Sequence, residues 1–185
     1  KSANVEIGPI IDGKTLQTGK TVEIRAPHDH KLLLGKYHTV GEKEVNLAIE
    51  SALIARKTWS EMPMEERASV FLRAAELLAG PYRDKINAST MLGQSKNVYQ
   101  SEIDAACELI DFWRFNVKYM LEIYRQQPLV SPVEMWNRLA YRPLEGFIFA
   151  ISPFNFTSIG GNLASAPVLM GNTCVWKPGS TGVLS

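Results

Sequence analysis

The apolar positions change period along the chain, and each change predicts a different kind of element. Over residues 5–40 they come in short bursts. Ile10 and Ile11 run into Asp12-Gly13, a hairpin signal because Gly tolerates positive φ. Val22 and Ile24 alternate with Thr21, Glu23 and Arg25. After a turn over Ala26-Pro27-His28-Asp29-His30, Leu32-Leu33-Leu34 leads into Gly35-Lys36-Tyr37. Short strands are expected throughout this stretch.

From residue 42 the period is helical. Val45, Ala48, Ile49, Ala52, Ala55 and Trp59 form one stripe; after a break at Met62-Pro63, Ala68, Phe71, Leu72, Ala75 and Leu78 form a second. Gly80-Pro81 joins a helix end to a helix start. A third, shorter helix is expected over 82–92, closing at Gly93. The fourth is long, with Ile103, Ala106, Cys107, Ile110, Trp113, Val117 and Leu121 on one stripe until Gln126-Gln127-Pro128. Its charged positions, Glu102, Asp104, Glu108, Asp111, Arg114 and Lys118, read mostly as a solvated face, Asp111 and Arg114 at a favourable i,i+3 spacing.

Beyond Pro128 the texture returns to strands. Residues 135–142 alternate as a partly exposed strand does, and Pro143-Leu144-Glu145-Gly146 turns into the wholly apolar run 147–151. Ile159-Gly160-Gly161-Asn162 then leads to a helix of small residues over 163–170, ended by Gly171-Asn172, and residues 173–177 form a second buried strand. Strand, helix and strand make a right-handed βαβ unit. Strands buried on both faces imply a parallel sheet covered by helices, here the four upstream ones. The fold class is α/β.

Composition narrows the partners. The 185 residues suffice for one substantial domain, and 45% hydrophobic with 21% charged residues is ordinary for a globular protein. A net charge of +1 makes no electrostatic case for nucleic acid or an anionic membrane. The apolar runs fall well short of the roughly 20 residues that a membrane span needs, and Lys1-Ser2-Ala3-Asn4-Val5-Glu6 contains no apolar leader core. The chain starts at Lys1 rather than Met, and Thr181-Gly182-Val183-Leu184-Ser185 reads as the opening of a helix; both point to a piece of a longer protein.

Ligands of open parallel α/β sheets bind outside the carboxyl ends of the strands. Asn155 and Lys177 each follow such an end, on neighbouring strands of one βαβ unit. Asn155 could equally cap the following helix, and Lys177-Pro178 could simply lead into a turn. Gly160-Gly161 is not a dinucleotide fingerprint, since Gly-x-Gly-x-x-Gly is missing; it lets the helix start close to the sheet. Cys174, in an apolar strand, and Cys107, on a helical apolar stripe, are poor nucleophile candidates because desolvation disfavours the thiolate. His28-x-His30 has no third metal ligand nearby and reads as a turn.

Together, AIESALIARKTW, RPLEGFIFAISPFNF and GNTCVWKP resemble the amino-terminal third of the aldehyde dehydrogenase superfamily. SPFNFTSIGGNLASAPVLMGN with SEIDAACELIDFWRFN looks most like its Δ1-pyrroline-5-carboxylate dehydrogenase (glutamate-γ-semialdehyde dehydrogenase) branch, a broader aldehyde specificity being the alternative. A short non-catalytic binding or oligomerisation module is the alternative outside enzymology. The resemblance implies NAD as cofactor and an aldehyde substrate. It implies the amino-terminal strands and helices of an NAD-binding domain over 1–130, an oligomerisation strand segment over 131–146 and the first βαβ unit of the NAD-binding sheet, truncated, over 147–185. Asn155 would donate to the substrate oxyanion, and Ile151, Ser152, Pro153 and Phe154 would line the cofactor cleft. Lys177 would bind the adenosine ribose, Phe156 would pack on the substrate's aliphatic part, and Glu102 would sit near the substrate mouth. No metal is implied. A homo-oligomer is, in bacterial cytoplasm or the mitochondrial matrix. Most members have Trp where this chain has Phe154, and usually an acidic residue where it has Ser180, which leaves one ribose contact open. The family's catalytic cysteine and general-base glutamate fall beyond residue 185, so the chain alone is expected to be inactive.

Overall fold

The computed structural model describes residues 5–185; residues 1–4, part of the stretch read as having no leader core, lie outside the described residues. The early strands form as expected. β1 (Val5–Ile7) pairs parallel with β5 (Asp29–His38), which pairs antiparallel with β4 (Thr21–Ala26). Between them, β2 (Ile10–Ile11) and β3 (Lys14–Thr15) form the hairpin signalled by Asp12-Gly13, both turn residues lying at positive φ. Ile24, Ala26 and Leu34 bury one face of the larger sheet under Leu184.

Three of the four predicted helices appear with nearly the expected limits: α1 (Glu42–Trp59), α2 (Met64–Ala79) and α3 (Arg83–Gln94). The fourth is composite. It opens as α4 (Val98–Ser101), widens into a π-helical segment (Glu102–Cys107) and continues as α5 (Glu108–Arg125). A π turn holds one residue more than an α turn, so the faces of the helix before and after it are out of phase. Ile103, expected on the buried stripe, is therefore 66% exposed, while Asp104, expected on the solvated face, is buried. Downstream of the insertion the stripe holds: Ile110 and Val117 are buried, and Trp113 and Leu121 pack beside them.

The βαβ unit consists of β6 (Ile148–Ile151), α6 (Thr157–Leu169) and β7 (Cys174–Lys177), with β6 and β7 parallel. The helix starts six residues earlier than its small-residue run indicated, so Gly160 and Gly161 lie within its first turns. Their role is close approach. A Cβ on Gly160 would touch Trp176 and Ser152, and one on Gly161 would come within 3 Å of Leu109. α6 thereby sits tightly between the strands and α5. Trp59 Nε1 donates to Val168 O (2.8 Å), Trp113 Nε1 to Ser165 Oγ (2.9 Å) and Asn116 Nδ2 to Asn162 Oδ1 (2.8 Å). Beneath them Ala68, Phe71, Val117, Met120 and Leu169 form the main core, where full burial of a large apolar side chain stabilises by about 1.5–3 kcal/mol.

Two expectations about the strands need correction. Side chains alternate along a strand, and β6 is covered on its α6 side alone among the described residues. Ala150 faces α6 and is buried, whereas Phe149 and Ile151 on the opposite face are 59% and 58% exposed. Nor does the strand expected over 135–142 form. A strand needs a ladder partner, and within the described residues this segment instead folds back on residues 126–131 through side-chain bonds. Gln127 both donates to Leu139 O and accepts from Leu139 N, and Asn137 N donates to Ser131 Oγ. Its apolar side chains, Met135, Trp136 and Leu139 among them, stand exposed.

Candidate functional site

The carboxyl ends of β6 and β7 meet side by side, with Ile151 in register with Lys177. Ser152 pins the start of the following loop. Its N–H donates to Lys177 O (3.3 Å), and its buried hydroxyl accepts from Trp176 Nε1 (2.9 Å). The loop then exposes Pro153 and Phe154 and enters α6 through Phe156, which is the N-cap residue, extended and without a side-chain cap bond. Asn155 is therefore not the helix cap. Its carboxamide is exposed and has no hydrogen-bond partner among the described residues, while its main-chain carbonyl accepts from Lys96 Nζ. The same ammonium stands 4.2 Å from the centre of the Phe156 ring.

Across the strand pair, the Lys177 ammonium is exposed and has no ion-pair partner among the described residues. Ser152, Pro153, Trp176, Pro178 and Gly179 line a narrow crevice beside it. At Gly179 a Cβ would press to 3.1 Å on the backbone of Phe154, so the loop after β7 runs directly against the loop after β6. An unpaired ammonium at a strand end, next to a closely apposed backbone, is a donor set suited to the hydroxyls of a ribose.

Glu102 lies elsewhere. Arg83 and Asn87 of α3 both donate to its carboxylate, the latter at 2.6 Å, and the hydrogen bond from Arg83, followed by that from Asn87, holds its carboxyl below the usual carboxylate range. These bonds tie the π segment to α3 rather than to the strand-end loop. A carboxylate with a lowered pKa contributes stability above its unfolded value, about 4.3, and loses it as pH falls through the folded value. Glu102→Gln is thus expected to lower the urea midpoint most at pH 7, and by progressively less as the pH is taken down through the folded-state value. Equal losses across that range would mean that the charge of Glu102 contributes nothing.

Two carboxylates from the helix face that the sequence assigns mostly to solvent do approach the site. Asp104, turned inward by the π segment, is paired with Lys96. Glu108 accepts from Ser158 Oγ in the first turn of α6. It also lines a cleft of about 520 Å³ with Phe112, Phe115, Asn116 and Asn162. One signal for the Lys96 arrangement was available in the sequence: Asn97-x-x-Gln100 is a capping box, and it sets the helix start at residue 98, with Lys96 just outside it. The phase shift itself has no such signal. Neither cysteine is set up as a nucleophile. Burial raises the thiol pKa of Cys174, and burial followed by the Glu102 charge raises that of Cys107.

A parallel βαβ unit packed on helices, with polar side chains at the carboxyl edge of its strands, defines a Rossmann-like ligand-binding domain. The chain belongs to the aldehyde dehydrogenase family, whose profile matches residues 14–185. It is 51% identical over 181 residues to the probable delta-1-pyrroline-5-carboxylate dehydrogenase of Schizosaccharomyces pombe, covering 98% of this chain and 33% of that protein. To the mitochondrial delta-1-pyrroline-5-carboxylate dehydrogenase of Homo sapiens it is 53% identical over 160 residues, 86% of this chain and 28% of the human one. The crystal structure of the Delta-pyrroline-5-carboxylate dehydrogenase from Mycobacterium tuberculosis bound with NAD superimposes with a TM-score of 0.94 at 53% identity, covering 97% of this chain and 34% of that one. The chain spans about a third of the length of the curated relatives it matches. Among the described residues no helix is long and apolar enough to cross a membrane.

Proposed function

We propose that this chain supplies the amino-terminal third of an NAD-dependent dehydrogenase that oxidises L-glutamate γ-semialdehyde, the open form of 1-pyrroline-5-carboxylate, to glutamate. The observation that carries the reading is the pair of unpaired polar groups that follow two neighbouring strand ends, the carboxamide of Asn155 in the loop after β6 and the ammonium of Lys177 at the end of β7. The near-complete alignment of the chain with relatives of that activity supports it.

In this mechanism a thiolate, supplied by a part of the enzyme outside these residues, adds to the aldehyde carbon. The carbonyl oxygen becomes an anion. Asn155 donates a side-chain N–H to it; an amide suits the task because it carries no charge and no proton that it can lose. Lys177 holds the ribose hydroxyls of NAD through its ammonium, and Ile151, Ser152, Pro153 and Phe154 form one wall of the cleft. The bound nicotinamide would serve as hydride acceptor for the substrate carbon, and attack of water on the resulting thioester would break the carbon–sulfur bond, releasing glutamate and restoring the thiolate. Phe156 packs against the aliphatic part of the substrate. Glu108, at the cleft beside the first turn of α6, is better placed than Glu102 to face the charged end of the substrate. The chain by itself lacks a nucleophile and is inactive. The exposed segment over 131–146 pairs with another subunit in a homo-oligomer, in bacterial cytoplasm or the mitochondrial matrix. Neither nucleic acid nor a membrane is a partner.

The test is an NADH-formation assay on the full-length enzyme carrying this chain. We expect kcat/KM for the semialdehyde to exceed that for propanal and hexanal by more than the roughly hundredfold that apolar pocket contacts alone supply, because a site built for polar groups rejects analogues lacking them by up to about 10⁴–10⁵. A preference for the simple aldehydes would replace this reading with a broad-range aldehyde dehydrogenase.

A further inference from the structure

The Asn155 carboxamide makes no hydrogen bond within the described residues, yet an oxyanion donor acts only if its position is set before the reaction. Its backbone must therefore be held. Upstream, Ser152 is fixed by Lys177 O and Trp176. Downstream, Thr157 is held by α3, its hydroxyl 2.9 Å from that of Thr90 and accepting from Gln94 Nε2 (3.0 Å). Between these anchors the peptide joining Asn155 to Phe156 has one polar partner among the described residues, the Lys96 ammonium.

Lys96 is itself immobilised. It immediately precedes the Asn97 capping box, in which Gln100 N donates to Asn97 Oδ1 (2.9 Å) and Asn97 N donates to Gln100 Oε1 (3.0 Å). Its ammonium is paired with Asp104, and the two side chains are only 16% and 8% exposed. The π segment creates this pair, because without its extra residue Asp104 would face another direction. With the carboxylate on one side and the Phe156 ring on another, the ammonium keeps a single donor direction toward Asn155 O.

We propose that Lys96, clamped by Asp104, is a positioning residue that sets the orientation of the Asn155 peptide and so aims the oxyanion-hole amide. The inference rests on the functional reading above and adds to it the element that holds the loop. Replacing Lys96 releases the carbonyl and lets the carboxamide sample other directions, while the cofactor's contacts on Lys177 stay in place.

The experiment is a set of double-mutant cycles in the full-length enzyme. Lys96→Met and Asp104→Asn are each expected to lower kcat 10- to 100-fold and to leave KM for NAD within twofold, and Lys96→Arg is expected to restore part of kcat. In an Asn155→Ala background, Lys96→Met should cost less than twofold further, because the group it aims has gone. A merely structural lysine gives the opposite pattern: its loss lowers the amount of folded enzyme by the same factor in both backgrounds. Full additivity with Asn155→Ala, or unchanged kcat in Lys96→Met, overturns the proposal. If Lys96→Met fails to fold, the Asp104→Asn cycle decides by the same criterion. A wild-type enzyme without aldehyde-oxidising activity sinks the functional reading, and the inference with it.

Discussion

Asn155→Ala in the full-length enzyme is expected to lower kcat by about 10²–10³-fold, which is roughly 2.7–4 kcal/mol of lost transition-state stabilisation for one oxyanion donor. KM for NAD should change little, because in the proposed function the cofactor would be held from β7 and from backbone near Ser152, not by the Asn155 side chain. The thermal midpoint separates this outcome from the mundane one. Were Asn155 the cap of α6, its removal would cost about 0.5–2 kcal/mol of stability. Phe156 occupies the cap position, and the Asn155 carboxamide holds nothing in place, so the midpoint should stay put while turnover collapses. Steady-state kinetics and a melting curve on the same preparation decide it. A variant with wild-type kcat and a lowered midpoint would return Asn155 to a structural role.

The largest stability effect is expected at Arg67. This α2 guanidinium is 4% exposed and has no carboxylate partner among the described residues. Instead it donates to Leu169 O at the carboxyl end of α6 (3.0 Å), to Met62 O, and to the Tyr124 hydroxyl on α5 (3.2 Å). The end of a helix carries partial negative charge on its unpaired carbonyls, and Arg67 satisfies one of them where water cannot enter easily. Hydrogen bonds from a charged group contribute about 1.5–3 kcal/mol each, and carbonyls left unpaired in the interior add a desolvation cost. Arg67→Met should therefore destabilise by about 3–5 kcal/mol, a large part of the ~5–15 kcal/mol that holds a domain together. For a chain of this size that corresponds to a fall in Tm on the order of 10 °C. Arg73→Met on the same helix is the control. Its pair with Glu76 is exposed, and such pairs contribute about 0–1 kcal/mol. Equal Tm shifts for the two variants would show that Arg67 does not tie α2 to α6.

Glu102 and Asp104 show where reading the chain as a string reaches its limit. They are two residues apart on one helix, yet one is committed to Arg83 and Asn87 while the other reaches the strand-end loop through Lys96. A regular 3.6-residue wheel placed Asp104 in solvent and Ile103 in the core. The inserted residue reverses both assignments, and it is stabilised by contacts with α3 and α6 that no local pattern encodes. Residues 135–142 make the complementary point, since an alternating pattern creates a capacity for strand pairing and only a partner strand turns it into one.

By itself the sequence determined everything that depends on local period and on residue type: the Asp12-Gly13 hairpin, the limits of α1 to α3, the parallel βαβ unit, and Asn155 and Lys177 at its strand ends. These follow from chain geometry, in which turn residues, helical stripes and apolar runs act over a few positions. Tertiary structure decided the rest: the phase shift that buries Asp104, the early start of α6, the single covered face of β6, and the grip of Lys96 on the Asn155 carbonyl. Those depend on groups far apart in the chain meeting in a low-dielectric interior, where each polar atom must find a partner and close packing chooses among the phases that the local pattern permits.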